Sequence, residues 1–299
     1  MIETKDLCKS FGDLKALDHV SVSIRSGGVF GLVGSNGAGK STFLRLLSGI
    51  YRPDSGSVEI DGKRVYENQA VKSRLVFIAD DPYFFPNATP REMEEYYRGV
   101  YAAFDGQRFR KFLTALDLDA GRKISAFSKG MKKQLAVLLA LCTNVPYLYG
   151  DETMDGLDPV MRRAVKSLFA EEVAARGLTA VLSSHNLREL EDICDHIGLL
   201  HRGGLLLAQE LDELKSGLHK VQAVFPYTVY PKAFEGMQLT SFKQSGRMYT
   251  MIFRGDGEEI RRRLEEKEPV YMEMLPVSLE EAFIYETEVA GYDFQTLFL

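Results

Sequence analysis

Apolar and polar residues alternate at Val20, Val22 and Ile24, bounded by turn residues, and predict an antiparallel edge region over about residues 1 to 27. Val58 and Ile60, ahead of the turn Asp61-Gly62, extend it. Gly28 to Val33 is different in kind: its near-continuous apolar character is that of a short strand buried on both faces. Immediately afterwards Phe43, Leu44, Leu46, Leu47 and Ile50 recur at helical spacing. Leu75 to Ile78, Val145 to Tyr149 and Leu178 to Ser183 read as further buried strands, with a helix around Met161 to Ala174 between the last two. Buried strands alternating with helices predict an α/β core. From about Pro90 to Asn144 the pattern is helical throughout. Thr89 and Glu92 stand at capping-box spacing, Pro90 takes the first helical position, and Met93, Tyr96, Tyr97, Val100 and Tyr101 form one stripe. This stretch is read as a helical insertion over about 88–144.

Near residue 216 the texture changes. Val221 to Phe225, Leu239 to Lys243 and Tyr249 to Phe253 are short strand candidates, Gly246 marks a turn, and Glu258 to Lys267 is a polar helix. Arg261, Arg262 and Arg263 lie among Glu258, Glu259, Glu265 and Glu266, which predicts i,i+4 pairing on a solvated face. Ser278 and Glu281 form a second capping box opening a helix to about Thr287, and the apolar Phe294 to Leu299 is expected to pack on its own domain, the alternative being a partner. Two domains follow, 1–215 and a small α+β domain at 216–299.

Composition narrows the function classes. At 299 residues the chain exceeds one average domain, and its net charge of −5 is mild and spread, so no nucleic-acid partner is expected. Cys8, Cys142 and Cys194 are too few and too scattered for a disulfide framework or zinc site, which suggests a reducing compartment. The longest clear apolar run, Leu135 to Cys142, falls short of the ~18 residues of a membrane span, and no signal peptide is read at the N-terminus. A cytoplasmic polypeptide able to dock on a membrane protein is expected.

The chemistry starts at Gly34-Ser35-Asn36-Gly37-Ala38-Gly39-Lys40-Ser41-Thr42, which fits G-x-x-x-x-G-K-[ST] at every fixed position. Such a loop lies between a strand and a helix, as here; glycines let successive backbone N–H groups close around phosphate, assisted by the positive helix end. Lys40 would reach the β and γ phosphates and the Ser41 hydroxyl would ligate magnesium. Asp151 and Glu152, closing the strand that ends at Gly150, supply the other carboxylates an NTPase needs: Asp151 for the metal, Glu152 to polarise the attacking water. The fold class is therefore α/β, a P-loop NTPase core with an antiparallel β subdomain and a helical insertion.

Phe127-Ser128-Lys129-Gly130-Met131, between the phosphate loop and Asp151, resembles the LSGGQ signature of the ATP-binding cassette ATPases. The resemblance covers about the first 215 residues. It implies that Ser128 and Gly130 meet the phosphate of ATP held by a second subunit, so that two cassettes, identical or not, sandwich two nucleotides. Gly156-Leu157-Asp158 resembles the loop crossing that interface, His185 the switch histidine at the γ-phosphate, and Phe11 the aromatic that stacks on adenine. Departures are local. Asp80, in Ala79-Asp80-Asp81, stands where the family usually has glutamine and would still ligate magnesium; Gly150 replaces a large apolar residue; Thr153-Met154 replaces Pro-Thr or Pro-Ser. Lys129 and Met131 resemble the signature of the export branch with separate membrane subunits. The implied function is an ATP- and Mg2+-dependent transport ATPase on the inner face of the cell membrane, its partners a second ATPase subunit and an integral membrane permease. The alternative is a soluble cassette ATPase acting on ribosomes or DNA; members of that kind resemble tandem cassettes or a cassette split by a coiled coil, and this chain has one phosphate loop and no sustained heptads.

Overall fold

The computed structural model describes residues 1–289, so Phe294 to Leu299 lie outside the described part. In the first of two compact units, Met1–Gln209, β1 (Ile2–Phe11) and β2 (Leu14–Ile24) form an antiparallel pair. Then β3 (Val29–Val33) feeds through the glycine loop into α1 (Lys40–Leu47), and β4 (Ser55–Ile60) with β5 (Lys63–Arg64) returns to the hairpin. Next come α2 (Gln69–Lys72), β6 (Leu75–Ile78), α3 (Pro90–Val100), α4 (Gly106–Ala115), α5 (Lys129–Cys142), β7 (Tyr147–Gly150), α6 (Pro159–Arg176), β8 (Thr179–Ser184), α7 (Leu187–Leu190), β9 (His196–His201) and β10 (Gly204–Glu210).

The antiparallel sheet has order β2-β1-β4-β5 and the central sheet β10-β9-β3-β8-β7-β6, within which β9, β3, β8, β7 and β6 run parallel. One hydrophobic core joins the two sheets through α1: Phe43, Leu44 and Leu47 are buried against Leu17, Val20, Ile60 and Val181. Each such side chain contributes about 1.5–3 kcal/mol on burial, which holds the start of α1 at the carboxyl end of β3. In a parallel sheet that edge is where ligands bind.

The stretch expected to be helical throughout is three helices. Non-helical segments separate them at 101–105 and 116–128, the latter containing a short 3-10 turn at Ile124–Ala126. The capping box forms, with Thr89 Oγ1 accepting from Glu92 N at 3.3 Å and Glu92 Oε2 accepting from Thr89 N at 2.7 Å. The apolar stripe divides: Met93 is buried, whereas Tyr96 and Val100 are exposed. A core of its own, with Phe109, Leu113, Phe127, Leu135 and Leu139, unites these helices. In α6, Asp158 caps by accepting from Val160 N and Met161 N at 3.0 Å each, Pro159 opens the helix, and Gly177 closes it at φ 66°.

The second unit begins at Glu210, ahead of the expected boundary at 216, because α8 (Leu211–Lys215) buries Leu211 and Leu214 and packs on α10 (Leu279–Val289). Its sheet joins β11 (Leu218–Val224), β12 (Gln238–Ser245), β13 (Met248–Arg254) and β14 (Tyr271–Leu275) in the antiparallel order β12-β13-β11-β14. The helix α9 (Gly257–Glu265) lays Ile260 and Leu264 on it, and its arginines pair as expected, Arg262 with Glu266 and Arg263 with Glu259. β9, β10 and β14 escaped the sequence reading.

Candidate active site

The glycine loop is glycine-rich for two distinct reasons. At Gly39 the backbone has φ 109°, which L side chains avoid, and an added Cβ would lie 2.5 Å from the carbonyl of Ala16. At Gly34 the constraint is proximity: a Cβ would sit 2.3 Å from the carbonyl of Leu200. The loop therefore threads tightly past β2 and β9 before releasing α1, whose first N–H groups have no helical acceptors. Lys40, 5 % exposed, folds back across the loop and donates to Gly34 O at 2.7 Å and Ser35 O at 3.2 Å. Its Nζ also lies 3.2 Å from Glu152 Oε1.

Asp151 and Glu152 follow β7, and β8 beside it fixes both. Ser183 Oγ accepts from Glu152 N at 3.0 Å and donates to Asp151 Oδ1 at 2.8 Å. Asp151 is 1 % exposed, and its Oδ2 is buried with no hydrogen-bond partner. Burying an unsatisfied carboxylate oxygen costs on the order of 1–3 kcal/mol, and such atoms await a ligand or water. Asp151 is not among the residues lining the cleft that Ser41 lines; the carboxylate and the hydroxyl are both oxygen donors of the kind that suits a hard divalent ion. Glu152 sits at φ 47°, a strained conformation for a residue with a Cβ, and its Oε2 lies 2.9 Å from His185 Nδ1. Gly150, just before this pair, leaves the space occupied by Thr153, whose Cγ2 would be 2.6 Å from an added Cβ. The large residue usual in the family is thus exchanged for a buried threonine one turn on.

A cleft of about 470 Å3 gathers Phe11, Ser35, Asn36, Gly37, Gly39, Lys40, Ser41, Thr42, Asp80 and Glu152. Gly34 and Ala38 complete the loop: Gly34 O receives Lys40, and Ala38 N donates to Ser35 O at 3.1 Å. Phe11 is half exposed, edge-on to Tyr51 at 5.4 Å, with Lys9 Nζ 5.6 Å from its ring centroid. Asp80 lines the cleft, and one of its oxygens, Oδ1, accepts from Lys133 Nζ at 2.8 Å.

Ser128 and Gly130 are not among the residues lining this cleft. Ser128 caps α5, accepting from Met131 N at 3.2 Å. A Cβ at Gly130 would lie 3.1 Å from Gly156 O, which brings the signature against the 156–158 loop. Lys129 in place of glycine turns to Asp155, 3.1 Å away; the pair draws the Asp155 carboxyl below its ordinary value and lifts the Lys129 ammonium above its own.

Three residues here were not singled out from sequence. Ser183 is an ordinary strand serine, and Arg202, which joins the cleft from the turn between β9 and β10, carries no sequence signal. Lys133 did carry one, a charge leading into the apolar run of α5.

Comparison with known proteins agrees with this fold. A family model described as ABC transporter matches residues 17–155. The ABC transporter ATP-binding protein YtrB of Bacillus subtilis is 33% identical over 95% of this chain and 97% of its own length. The bacitracin transport ATP-binding protein BcrA of Bacillus licheniformis is 35% identical over 72% of this chain and 71% of its own. Among solved structures, an ATP-binding subunit of an ABC transporter superposes with TM-score 0.67 at 27% identity, covering 72% of this chain and 92% of that one.

Proposed function

Because the chain belongs to the ABC transporter ATPases, which bind and hydrolyse ATP, we propose that it is the cytoplasmic nucleotide-binding subunit of a transporter whose membrane-spanning part is a separate permease. The observation that carries the catalytic reading is the convergence of Lys40, Glu152 and His185 at the mouth of one glycine loop. Adenine stacks on Phe11. The loop N–H groups and Lys40 take the β and γ phosphates, and Lys40 leaves Glu152 as it does so. Glu152, released from the lysine, accepts a hydrogen bond from the attacking water and withdraws its proton, while His185 orients the carboxylate and reaches the γ-phosphate. Ser41, Asp151 and Asp80 would hold Mg2+, which when bound would supply charge to offset that developing on the phosphoryl oxygens.

The displacement of Ser128 and Gly130 from the cleft supports a second subunit, identical or different, that completes each site in a sandwich dimer. Among the described residues no helix is long and apolar enough to cross a membrane, which supports a separate permease. Tyr83, Phe85 and Tyr96 form an exposed aromatic group directly after Asp80, with ring centroids 6.2 and 4.9 Å apart, and provide an apolar docking surface for a membrane subunit. Such docking places the protein on the inner face of the cell membrane, and the signature variant favours export. The test is co-expression with a candidate multi-span permease: the two should co-purify in detergent and show ATPase activity. A chain that hydrolyses ATP but never retains that partner would refute the transport reading.

A further inference from the structure

Helix α5 buries the run Leu135 to Cys142, yet a charged residue ahead of that run is buried as deeply: Lys133 is 1 % exposed. A buried ammonium must be compensated by hydrogen-bond acceptors. Lys133 has two, from two walls of the active site: Asp80 Oδ1 at 2.8 Å, after β6, and the backbone carbonyl of Glu152, after β7. Since Lys133 itself belongs to the helix capped by Ser128, one ammonium ties three segments together. Stability is a weak reason for such an arrangement, because a well-packed apolar residue usually serves as well as a buried ion pair, and Asp80 is half exposed to water. The contact to Glu152 is the informative one. At φ 47° that backbone is held at its N–H by Ser183 Oγ and at its carbonyl by Asp155 N, 3.1 Å away, and by Lys133, which alone ties it to α5 while its carboxylate lies between Lys40 and His185.

We propose that Lys133 is a positioning residue: it fixes the orientation of Glu152 through the backbone carbonyl and makes that orientation depend on Asp80. The aspartate that replaces the family's usual glutamine and the buried lysine then act as one device, and any group that engages Asp80 changes the hold on Glu152. This rests on the reading of Glu152 as the residue that activates water.

The experiment measures kcat and KM for ATP on the full chain for Lys133→Met, Asp80→Asn, the double variant and Glu152→Gln. A misplacement of the order of 1 Å costs roughly 100-fold in rate, so Lys133→Met should lower kcat about 10- to 100-fold with KM within about threefold. Asp80→Asn, whose amide oxygen can still accept from Lys133, should lower kcat about three- to tenfold, since Lys133 keeps its second acceptor. The double variant should be no slower than Lys133→Met, because both substitutions act through the Lys133 ammonium. Wild-type rates in both single variants, independent multiplicative losses, or a rise in KM matching the fall in kcat would each overturn the proposal. Should Lys133→Met fail to fold, a wild-type kcat in Asp80→Asn overturns it alone. Glu152→Gln separates the two readings: if it keeps the wild-type rate, the water-activating role fails and the proposal with it; if it is slow while the others are fast, only the proposal fails.

Discussion

Replacing Glu152 with glutamine keeps the size and shape of the side chain and removes its charge. Two contacts decide the outcome. Glu152 Oε1 is 3.2 Å from Lys40 Nζ, and Oε2 is 2.9 Å from His185 Nδ1. The gross attraction of unit charges at that first distance is about 5 kcal/mol at an effective dielectric constant near 20. Lys40 keeps its hydrogen bonds to Gly34 O and Ser35 O in the variant, and desolvation offsets much of the rest, leaving a net pairing on the order of 1 kcal/mol. Nucleotide must displace that pairing in the wild type and has no such competitor in the variant. ATP should therefore bind Glu152→Gln as tightly as the wild type or up to about fivefold tighter, 1 kcal/mol being close to that factor. Hydrolysis should fall by about 100- to 10,000-fold, the contribution of a positioned general base. Equilibrium binding of a fluorescent nucleotide, with single-turnover hydrolysis on the same sample, separates the two effects. A variant that lost affinity more than tenfold, or that hydrolysed within about threefold of the wild type, would refute the assignment.

Phe11→Ala should weaken ATP binding by about 1–3 kcal/mol, the worth of stacking one base on an aromatic ring; because the ring is half exposed, thermal stability should stay nearly unchanged, and calorimetric titration alongside a melting curve checks both. Ser128→Arg should abolish ATP-dependent dimerisation in size-exclusion chromatography on a Glu152→Gln background, whereas Ser128→Ala, which loses only the cap to Met131 N, should cost about 1 kcal/mol and still dimerise. Glu172, almost wholly buried on α6, carries a stability signature of its own. Burial pushes its carboxyl up, but hydrogen bonds from Arg108 and Arg176 more than offset this and hold it below the ordinary value of 4.5. A carboxyl depressed in the folded state contributes stability that is fully present above the unfolded value and is lost as pH falls through the folded one. Glu172→Gln should cost about 2–4 kcal/mol by urea denaturation at pH 7, and the difference from wild type should shrink as pH falls below 4.5; a difference constant with pH would refute the pairing.

Legibility varied with the range of the interaction. The capping boxes at Thr89 and Ser278 formed as read, because each needs only a hydroxyl and a glutamate three residues apart. Strands of unbroken apolar character were found within one or two residues of their limits. The interruptions in the 90–144 stretch were missed because the apolar residues of the loops, such as Phe104 and Leu118, pack in the same core as the helices and sustain the same pattern. β9 and β10, beside β3 in the central sheet, are joined at Arg202-Gly203, φ 46° and 81°, a glycine turn signal that the reading of the sequence passed over.

By itself, then, the sequence determined the phosphate loop, the acidic pair at Asp151 and Glu152, the signature at Ser128 to Met131 and the order in which a strand and a helix present them, because these rest on contiguous residues and local backbone chemistry. Only the tertiary structure decided which side chains meet: Ser183 beneath both acids, Arg202 at the cleft, Asp80 bound to Lys133, and Glu152 held between Lys40 and His185. Those contacts join residues far apart in the chain, and their geometry is set by how β7, β8 and the base of α5 pack, which no local pattern encodes.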